Sequence, residues 1–295
     1  MSKEKQMHSL INMDCREGLK SLPDESAHVV LTDPPYGLDG MGENWSSEKL
    51  FAREKTASAK TASTGGLPPV QKFDRKQMDD LYSFLLPVWK EAYRILYPGG
   101  FLLSFGSPRL IGAISWAAHV AGFELRDEAI WEHEGGQPKA QRHTRWVQQM
   151  KISSAEKRRI VALLDDRTSV QLRPKYEPFI VAQKPANGTQ VQNFVKYGVG
   201  LIKSYDLDGK YRTPIFQHPK PRTRGEFDHM TIKPLELIED ILGVFAGPHS
   251  VVVDPFTGSG TTGVAALHLG HSFIGFEKDS QHCATALQRL KEAYE

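Results

Sequence analysis

The stretch that decides the fold is Val251 to Gly263, VVVDPFTGSGTTG. Its three successive valines are typical of a buried strand. Its three glycines, Gly258, Gly260 and Gly263, have the spacing G-x-G-x-x-G. Glycine permits a sharp turn and lets a ligand approach backbone N–H groups at the start of a helix. The next predicted strand, FIGFE, ends at Glu277, whose carboxylate can accept hydrogen bonds from both hydroxyls of a ribose. This order of elements predicts a nucleoside-binding site.

Strands and helices alternate along the rest of the chain. Apolar residues at helical spacing predict a long helix that is stopped by Pro98-Gly99-Gly100, and Ser153 with Glu156 predicts a capped short helix near residues 160–164. Short apolar or β-branched runs predict seven strands, at residues 10–13, 29–32, 101–105, 129–131, 179–182, 251–253 and 273–276. The alternation predicts an α/β fold with a doubly wound, mostly parallel sheet, in which ligands bind beyond the C-terminal ends of the strands.

A second polar motif follows another predicted strand end, in VVLTDPPYG from Val29 to Gly37. Proline restricts φ and has no backbone N–H, so Asp33-Pro34-Pro35-Tyr36 predicts a rigid turn that presents a carboxylate, a carbonyl and an aromatic ring. These groups suit an exocyclic amine. Asp33 and the Pro34 carbonyl can accept its two N–H bonds while Tyr36 stacks on the ring that carries it.

Basic residues are unevenly distributed, although the net charge is only +2. Residues 139–175 contain ten Lys or Arg against three acids, and residues 209–224 contain five basic residues and no acid. Both segments favour contact with phosphates. Residues 46–70 are rich in Ser, Thr, Ala, Lys and Gly and predict a long mobile loop.

Composition argues against several other classes of protein. No apolar run reaches the roughly 20 residues that a membrane helix needs, and the N-terminus lacks the apolar core of a signal peptide. The only cysteines, Cys15 and Cys283, cannot form a disulfide framework or a structural zinc site. No cluster of His, Cys and acidic residues has the spacing of metal ligands. We therefore expect a cytoplasmic protein without membrane segment or metal.

At these motifs the sequence resembles the beta-type, circularly permuted amino-DNA methyltransferases. The family's catalytic D-P-P-Y matches Asp33 to Tyr36, and its cofactor loop D-P-F-x-G-S-G-T-T matches Asp254 to Thr262, in the same order along the chain. Its H-P-T-x-K-P corresponds to His229 to Pro234, with Met230 in place of proline. Its N-G-D-C corresponds to Asn12 to Cys15, with Met in place of glycine. The resemblance spans residues 10–290.

The resemblance implies a single catalytic domain over residues 1–295. Its sheet would be seven-stranded and Rossmann-like, and residues 187–228 would form an inserted target-recognition region. The implied cofactor is S-adenosylmethionine and the implied partner is double-stranded DNA. A second copy of the chain and a cognate restriction nuclease are left open as further partners. The implied catalytic residues are Asp33, Pro34, Pro35 and Tyr36, and the implied cofactor-binding residues are Asp14, Lys233, Asp254, Phe256, Gly258, Ser259, Gly260, Thr261 and Glu277.

The implied reaction is methylation of N6 of adenine, with the target base flipped out of the duplex. N4 of cytosine is the closest alternative, although enzymes of that kind usually carry Ser at the position of Asp33.

Other classes of enzyme fit the sequence less well. Methylation of cytosine C5 would need a cysteine that directly follows a proline, and neither Cys15 nor Cys283 follows one. A zinc deaminase would need P-C-x-x-C, which is absent. A nicotinamide-dependent oxidoreductase also fits the glycine motif with Glu277, but only one further helix is predicted after that residue. A DNA-binding module with an inactive site is disfavoured by the intact motifs.

Three segments are candidates for contact with DNA. Residues 187–224 resemble neither sheet nor helix and mix aromatic with basic residues, which favours readout of the target sequence. We expect Arg222 and Arg224 to contribute to that readout. Residues 139–175, including Arg158 and Arg159, would mainly contact phosphates, and the loop at residues 46–70 would close over the DNA.

Overall fold

The computed structural model describes residues 8–35, 75–134, 143–168, 172, 175–206, 208–220 and 233–294. The loop expected at residues 46–70, as well as Tyr36, Arg222 and Arg224, lies outside them. The described strands are β1 (His8–Asn12), β2 (Ala27–Thr32), β3 (Leu96–Phe105), β4 (Glu124–Glu132), β5 (Tyr176–Gln183), β6 (Ile215–Gln217), β7 (Val251–Asp254) and β8 (Ser272–Glu277). The described helices are α1 (Cys15–Lys20), α2 (Arg75–Ile95), α3 (Ile111–Val120), α4 (Thr144–Gln149), α5 (Ser154–Leu163), α6 (Gln190–Tyr197), α7 (Leu235–Phe245), α8 (Thr261–His268) and α9 (Ser280–Tyr294).

The strands form one sheet in the order β1-β8-β7-β2-β3-β5-β4-β6. Neighbouring strands are parallel except where β5 is involved, because β5 runs antiparallel to both β3 and β4. The expected mostly parallel α/β sheet is therefore confirmed.

The direction of the crossovers reverses between β2 and β7, which lie side by side. From β2 the chain passes through α2 to β3 on one side, and from β7 it passes through α8 to β8 on the other. Such a switch point opens a crevice beyond the C-terminal ends of the two central strands. We call this side of the sheet the active edge. Both polar motifs of the sequence begin there.

Helices cover both faces of the sheet, and the alternation of side chains in β2 shows how the core divides. Val30 packs in a cluster with α1, α2 and α3, whereas Val29 and Leu31 pack in a second cluster with α7 and α8. All three side chains are fully buried. Because alternate residues of a strand point to opposite faces, an unbroken apolar run is what a central strand with helices on both sides requires.

Three expectations from the sequence are wrong in detail. Pro98-Gly99-Gly100 does not end the long helix, because α2 ends at Ile95 and these three residues lie within β3. Within the described residues the sheet has eight strands rather than seven, and the eighth, β6, lies in the segment that was expected to be irregular. The same segment contains α6, which begins with a capping box between Thr189 and Gln192 and ends at Gly198 in the left-handed region. β6 has only three residues, and only Phe216 is buried, so it has no readable periodicity. It forms because β4 offers a free edge to pair with.

Candidate active site

The two polar motifs meet at the active edge. The Thr32 hydroxyl, at the end of β2, donates a 2.6 Å hydrogen bond to Oδ1 of Asp254, at the end of β7. Both residues are buried. The bond ties the turn that begins at Asp33 to the turn that carries the glycines. The sequence placed both motifs at strand ends, and the pairing of β2 with β7 makes those ends neighbours.

The glycines of the second turn are required by two different constraints. Gly258 and Gly260 have positive φ values of 51° and 84°, a region in which side chains with a Cβ are strained. At Gly260 a Cβ would also lie 2.9 Å from the Cβ of Ala286 in α9. At Gly263, within α8, a Cβ would lie 2.7 Å from the ring of Phe273. The last two glycines thus allow the turn and α8 to pack closely.

Glu277 ends β8 beside the glycine turn. Its Oε2 accepts a 2.9 Å hydrogen bond from the Gly258 N–H, and its Oε1 accepts a 2.7 Å bond from the Asp279 N–H. The side chain is half-buried. The carboxylate therefore anchors the turn and lies where the sequence placed a ribose acceptor.

Asp254 has a structural role in the turn. Its carboxylate is 2% exposed, and Oδ1 also accepts the Phe256 N–H at 3.0 Å. Burial raises the pKa of this carboxyl group to about 6, although hydrogen bonds from Thr32, Thr262 and the Phe256 N–H oppose the rise. Because the pKa is higher in the folded than in the unfolded chain, ionisation of Asp254 lowers stability as the pH rises from about 4 to 6.

One cavity at the active edge collects most of the predicted residues. Of the predicted site residues, Asp33, Lys233, Asp254, Phe256, Gly258, Ser259 and Thr261 line it. Its remaining lining residues are Leu31, Thr32, Phe105, Ile238, Thr257 and Thr262. Pro34 is buried and Pro35 half-buried directly after β2, and neither lines the cavity.

Lys233, which the sequence placed only in the cofactor pocket, is buried in contact with Asp33. It precedes α7, and its ammonium group bonds Oδ2 of Asp33. The same Nζ lies 3.1 Å from Oε2 of Glu177 and 4.9 Å from the centre of the Phe105 ring. The residue is only 9% exposed. The structure thus joins Lys233 to the D-P-P-Y motif and adds Glu177, which the sequence analysis did not identify.

Asp14 lies near the site but is engaged elsewhere. It caps α1 and forms a two-pronged bond with Arg16, with distances of 2.9 and 2.7 Å. The hydrogen bond from the Arg16 side chain lowers the pKa of this carboxyl group to about 2, with a further contribution from the charge of Lys278. Asp14 does not line the cavity. Its contact with a cofactor stays a prediction.

Arg289, in α9, also holds the glycine turn and was missed in the sequence. Its guanidinium group donates to the Ser259 carbonyl and to the Thr261 hydroxyl, the latter at 3.2 Å. Burial lowers the pKa of this guanidinium. The residue reaches the turn from a helix 30 positions away. No local pattern marks it, because an arginine in an amphipathic helix is typical of an exposed face.

We expect Arg289→Met to weaken binding of the nucleoside cofactor by about tenfold. The turn loses two hydrogen bonds from a charged group, at roughly 1.5–3 kcal/mol each, but these bonds hold the turn rather than the cofactor, so only about 1.4 kcal/mol of that loss should reach the binding free energy. Calorimetric titration measures the affinity. Arg289→Lys serves as the control because it keeps a cation at the same place. A lower melting temperature with unchanged affinity would show that Arg289 supports only the fold.

Both cysteines are poorly suited to act as nucleophiles. Both are buried and free of disulfides, and burial raises the pKa of the Cys15 thiol to about 12 and also raises that of Cys283. A thiol must ionise to attack, so cysteine-based methylation of a ring carbon is disfavoured. Within the described ranges, no group of three or more His, Cys, Asp or Glu could hold a metal ion. Nor is any helix in those ranges long and apolar enough to cross a membrane.

Comparison with known proteins identifies the family. A family model described as DNA methylase, for the N6 and N4 enzymes, matches residues 27–288. The chain belongs to this family. It is accordingly an S-adenosylmethionine-dependent DNA methyltransferase, as the resemblance implied. Among curated proteins, the type II methyltransferase M.HindIII of Haemophilus influenzae is 26% identical over 95% of this chain and 94% of its own length. The DNA adenine methyltransferase YhdJ of Escherichia coli is 24% identical over 97% and 83%.

Solved structures share the fold. TTHA0409 of Thermus thermophilus, in complex with S-adenosyl-L-methionine, aligns with a TM-score of 0.58 at 22% identity over 98% of this chain and 96% of its own. The PvuII DNA methyltransferase, which is cytosine-N4-specific, aligns with a TM-score of 0.60 at 15% identity over 99% and 94%.

The residues at the active edge fit S-adenosylmethionine. A Cβ added to Gly258 would meet nothing closer than 3.9 Å, so there is open space beside this glycine, which lines the cavity. The Glu277 carboxylate, which bonds the Gly258 N–H, is an acceptor of the kind that ribose hydroxyls require, although it is not among the residues that line the cavity. Phe256 supplies an apolar wall, backed by Phe84 at 5.8 Å between ring centres. A carboxylate and an open glycine turn are the groups that a nucleoside requires.

Proposed function

We propose that this protein methylates N6 of adenine in double-stranded DNA, at a defined target sequence. The observation that carries the proposal is the position of Asp33. It follows β2 directly and lines the same cavity as Gly258 and Ser259 of the glycine turn. A carboxylate that can bind an exocyclic amine thus stands beside the turn that would hold the methyl donor.

In the proposed mechanism the protein activates a weak nucleophile. The lone pair of the exocyclic amine is delocalised into the base. Hydrogen bonds from the two N–H groups to Asp33 and the Pro34 carbonyl localise it on nitrogen. When bound, the cofactor supplies an activated methyl group on a sulfonium. The amine nitrogen would form the new N–C bond with its lone pair while the bond between the methyl group and the sulfonium breaks, leaving that bond's electron pair on a neutral sulfur. The nitrogen then carries positive charge and releases one proton to solvent. Positioning and fixed negative charge supply the acceleration.

A base stacked in a duplex cannot reach a cavity at the edge of a sheet. We therefore propose that the target adenine flips out of the helix and enters beside Asp33. Stacking of the flipped base on Tyr36 completes the site in this proposal. Pro34, buried directly after β2, restricts the turn on which both residues depend.

Adenine is preferred to cytosine as the target because residue 33 is Asp. A carboxylate accepts hydrogen bonds more strongly than the hydroxyl that cytosine-N4 enzymes usually carry there. YhdJ, which is named a DNA adenine methyltransferase, supports this choice. The PvuII enzyme shares the fold and acts on N4 of cytosine, so that fold alone does not select the base.

The test is chemical analysis of DNA that the purified protein has modified in the presence of S-adenosylmethionine. Digestion to nucleosides and mass spectrometry should detect N6-methyladenine, with the cofactor-free reaction as the blank. N4-methylcytosine would overturn the choice of base. An absence of any methylated base, with DNA and cofactor both bound, would favour a binding module with an inactive site.

An insertion between β4 and β5 would contact the DNA backbone. The chain leaves the active edge after β4 and returns to it at β5, where the His133 N–H bonds the Lys175 carbonyl at 2.8 Å. The insertion carries α4 and α5, and α5 has no buried residue. Residues 143–168 contain six Lys or Arg and three Asp or Glu. Trp146 is half exposed, with the Arg145 guanidinium 5.3 Å from its ring centre.

We expect Lys151→Gln with Arg158→Gln to weaken binding of all DNA sequences alike. The slope of log affinity against log salt should fall by roughly 0.9 for each phosphate that the protein no longer contacts. Both residues are exposed, whereas Arg159 is already paired with Glu156 at 2.7 Å. Fluorescence anisotropy over a salt series measures the slope.

The control for this pair is Lys20→Gln with Lys90→Gln, which removes the same charge and also breaks the exposed pair of Lys20 with Glu17 at 3.2 Å. Those exposed lysines lie near the C-terminal ends of α1 and α2, at the opposite edge of the sheet. An equal loss of DNA affinity in the control would show that the effect comes from the net charge of the protein rather than from the position of Lys151 and Arg158. A changed target preference in the first pair would instead assign base readout to the insertion.

Readout of the target sequence is proposed for residues 187–228. Within this segment β6 pairs with the end of β4 at the active edge. There the Lys220 ammonium lies 5.8 Å from the centre of the Trp131 ring. Tyr205 and Tyr211 stack at 4.6 Å, and both are exposed. Aromatic and cationic groups of this kind suit contact with bases and phosphates.

The setting in the cell is also proposed from the relatives. M.HindIII is named a type II methyltransferase, which supports a cognate restriction nuclease as a partner. A bacterial DNA substrate would place the protein in the cytoplasm. Homodimerisation stays a prediction, and its measure is the mass of the purified protein in solution.

A further inference from the structure

Two carboxylates share the buried ammonium group of Lys233. Asp33 belongs to the turn after β2 and Glu177 to the start of β5, and both contact the same Nζ from different strands. Phe105, at the end of β3, closes the third side with its ring face 4.9 Å away. The second carboxylate, that of Glu177, belongs to neither the D-P-P-Y motif nor the glycine turn, and the proposed mechanism assigns it no role.

The three charged groups in this contact are one ammonium and two carboxylates, so their own charges sum to one net negative charge. Burial by itself lowers the pKa of Lys233, but the charges of Asp33 and Glu177 outweigh it and raise the pKa, so the lysine stays protonated. The side chain of Lys233 is 9% exposed, and those of Asp33 and Glu177 are 26% and 31% exposed. Water therefore screens the excess charge only partly.

We infer that Glu177 is a positioning residue for methyl transfer that acts mainly through its charge. It holds Lys233 against the Asp33 carboxylate and adds a negative charge near the amine that becomes positive during the reaction. The inference rests on the proposed function, because it assigns the amine to Asp33. It goes beyond that proposal by assigning a role to a residue outside both motifs.

The geometry distinguishes two contributions of Glu177. The 3.1 Å contact fixes the position of Lys233, and Lys233 in turn restricts rotation of the Asp33 side chain through Oδ2. A neutral amide at residue 177 can still accept a hydrogen bond from the ammonium group, so it keeps the first contribution. It also removes one negative charge from the site at which the amine must carry positive charge. Isosteric replacement therefore isolates the charge.

The experiment compares Glu177→Gln and Glu177→Asp with the unaltered protein in single-turnover methyl transfer under saturating DNA and cofactor. We expect Glu177→Gln to slow the chemical step by about 10- to 100-fold, a range below the 10²–10³ typical of losing a direct transition-state contact. Affinity for S-adenosylmethionine and the melting temperature should stay close to those of the unaltered protein. Glu177→Asp should recover most of the rate, because it restores the charge.

The matched control is Glu132→Gln. Glu132 is an acid at the end of the neighbouring strand β4, where it accepts a hydrogen bond from Gln217 at 2.7 Å rather than from Lys233. An equal loss of rate in this control would attribute the effect to charge along the whole active edge and overturn the inference. So would a Glu177→Gln protein with full activity, or one whose loss of rate is matched by losses of cofactor affinity and thermal stability.

Failure of the proposed function gives a different result. The methylated nucleoside made by the unaltered protein reports the target base independently of any Glu177 variant. If the unaltered protein makes N4-methylcytosine and Glu177→Gln is slow, adenine is rejected as the target but the role of Glu177 stands. If the unaltered protein makes N6-methyladenine and Glu177→Gln is fully active, the proposed function stands but the role of Glu177 is rejected.

Discussion

Asp33→Ala should abolish methyl transfer, lowering its rate by at least about 10²–10³-fold, while affinity for S-adenosylmethionine changes by less than about tenfold. In our proposal Asp33 contacts the target amine rather than the cofactor. The glycine turn is held by Glu277 and Arg289 instead, through bonds that this substitution leaves in place. Transfer of labelled methyl groups and calorimetric titration measure the two quantities separately.

The control for this variant is Asp33→Asn, which keeps an oxygen acceptor but removes the charge. Lys233 retains its contact with Glu177 in both variants, so the buried ammonium group does not lose every partner and the fold should survive. We expect Asp33→Asn to be slow but measurably active. Comparable losses of rate and of cofactor affinity in Asp33→Ala would assign Asp33 to the cofactor and contradict its proposed role.

Glu277→Ala should have the opposite signature, with cofactor affinity reduced by about 10²-fold or more. Two ribose hydroxyls would lose a charged acceptor, at roughly 1.5–3 kcal/mol for each hydrogen bond. The structure adds a second reason. Oε2 of Glu277 accepts the Gly258 N–H at 2.9 Å, so the substitution also releases the glycine turn from the end of β8. At saturating cofactor the rate should largely recover.

Glu277→Gln separates the two reasons, because its amide oxygen can still accept one hydrogen bond and keep the turn in place. We expect its affinity to lie between those of the unaltered protein and Glu277→Ala. Equilibrium titration with the cofactor gives all three values. If Glu277→Ala bound the cofactor as tightly as the unaltered protein, the ribose would have to lie elsewhere.

The sequence predicted the central part of the fold well because its signals are local. In β2 and β7, continuous aliphatic runs reflect burial on both faces of a sheet, and each run stops at an aspartate. The short helix expected after Ser153 is α5, and Ser153 accepts the Glu156 N–H at 3.2 Å as a cap should. Patterns of this kind depend on neighbours within a few residues, so a single sequence reveals them.

The periphery was predicted less well. The signal for α6 was present, because Thr189 and Gln192 form a capping box and Gly198 ends the helix with φ of 69°. Two of its apolar residues, Val191 and Val195, are exposed, so the segment has no clear apolar stripe of the kind that predicts a helix packed on a core. β6 depends on pairing with β4, a contact between distant parts of the chain that local propensity does not encode.

By itself the sequence determined the family, the order of the two motifs, and the placement of Asp33 and Glu277 at strand ends. Only the tertiary structure decided what surrounds them. Lys233 and Asp33 are 200 residues apart in the chain, and their contact, like that of Lys233 with Glu177, arises because β2, β3 and β5 are neighbours in one sheet. Arg289 reaches the glycine turn only because α9 packs against α8. A strand or turn is encoded by residues that are adjacent in sequence, whereas the charges and hydrogen bonds of a site depend on which segments folding brings together.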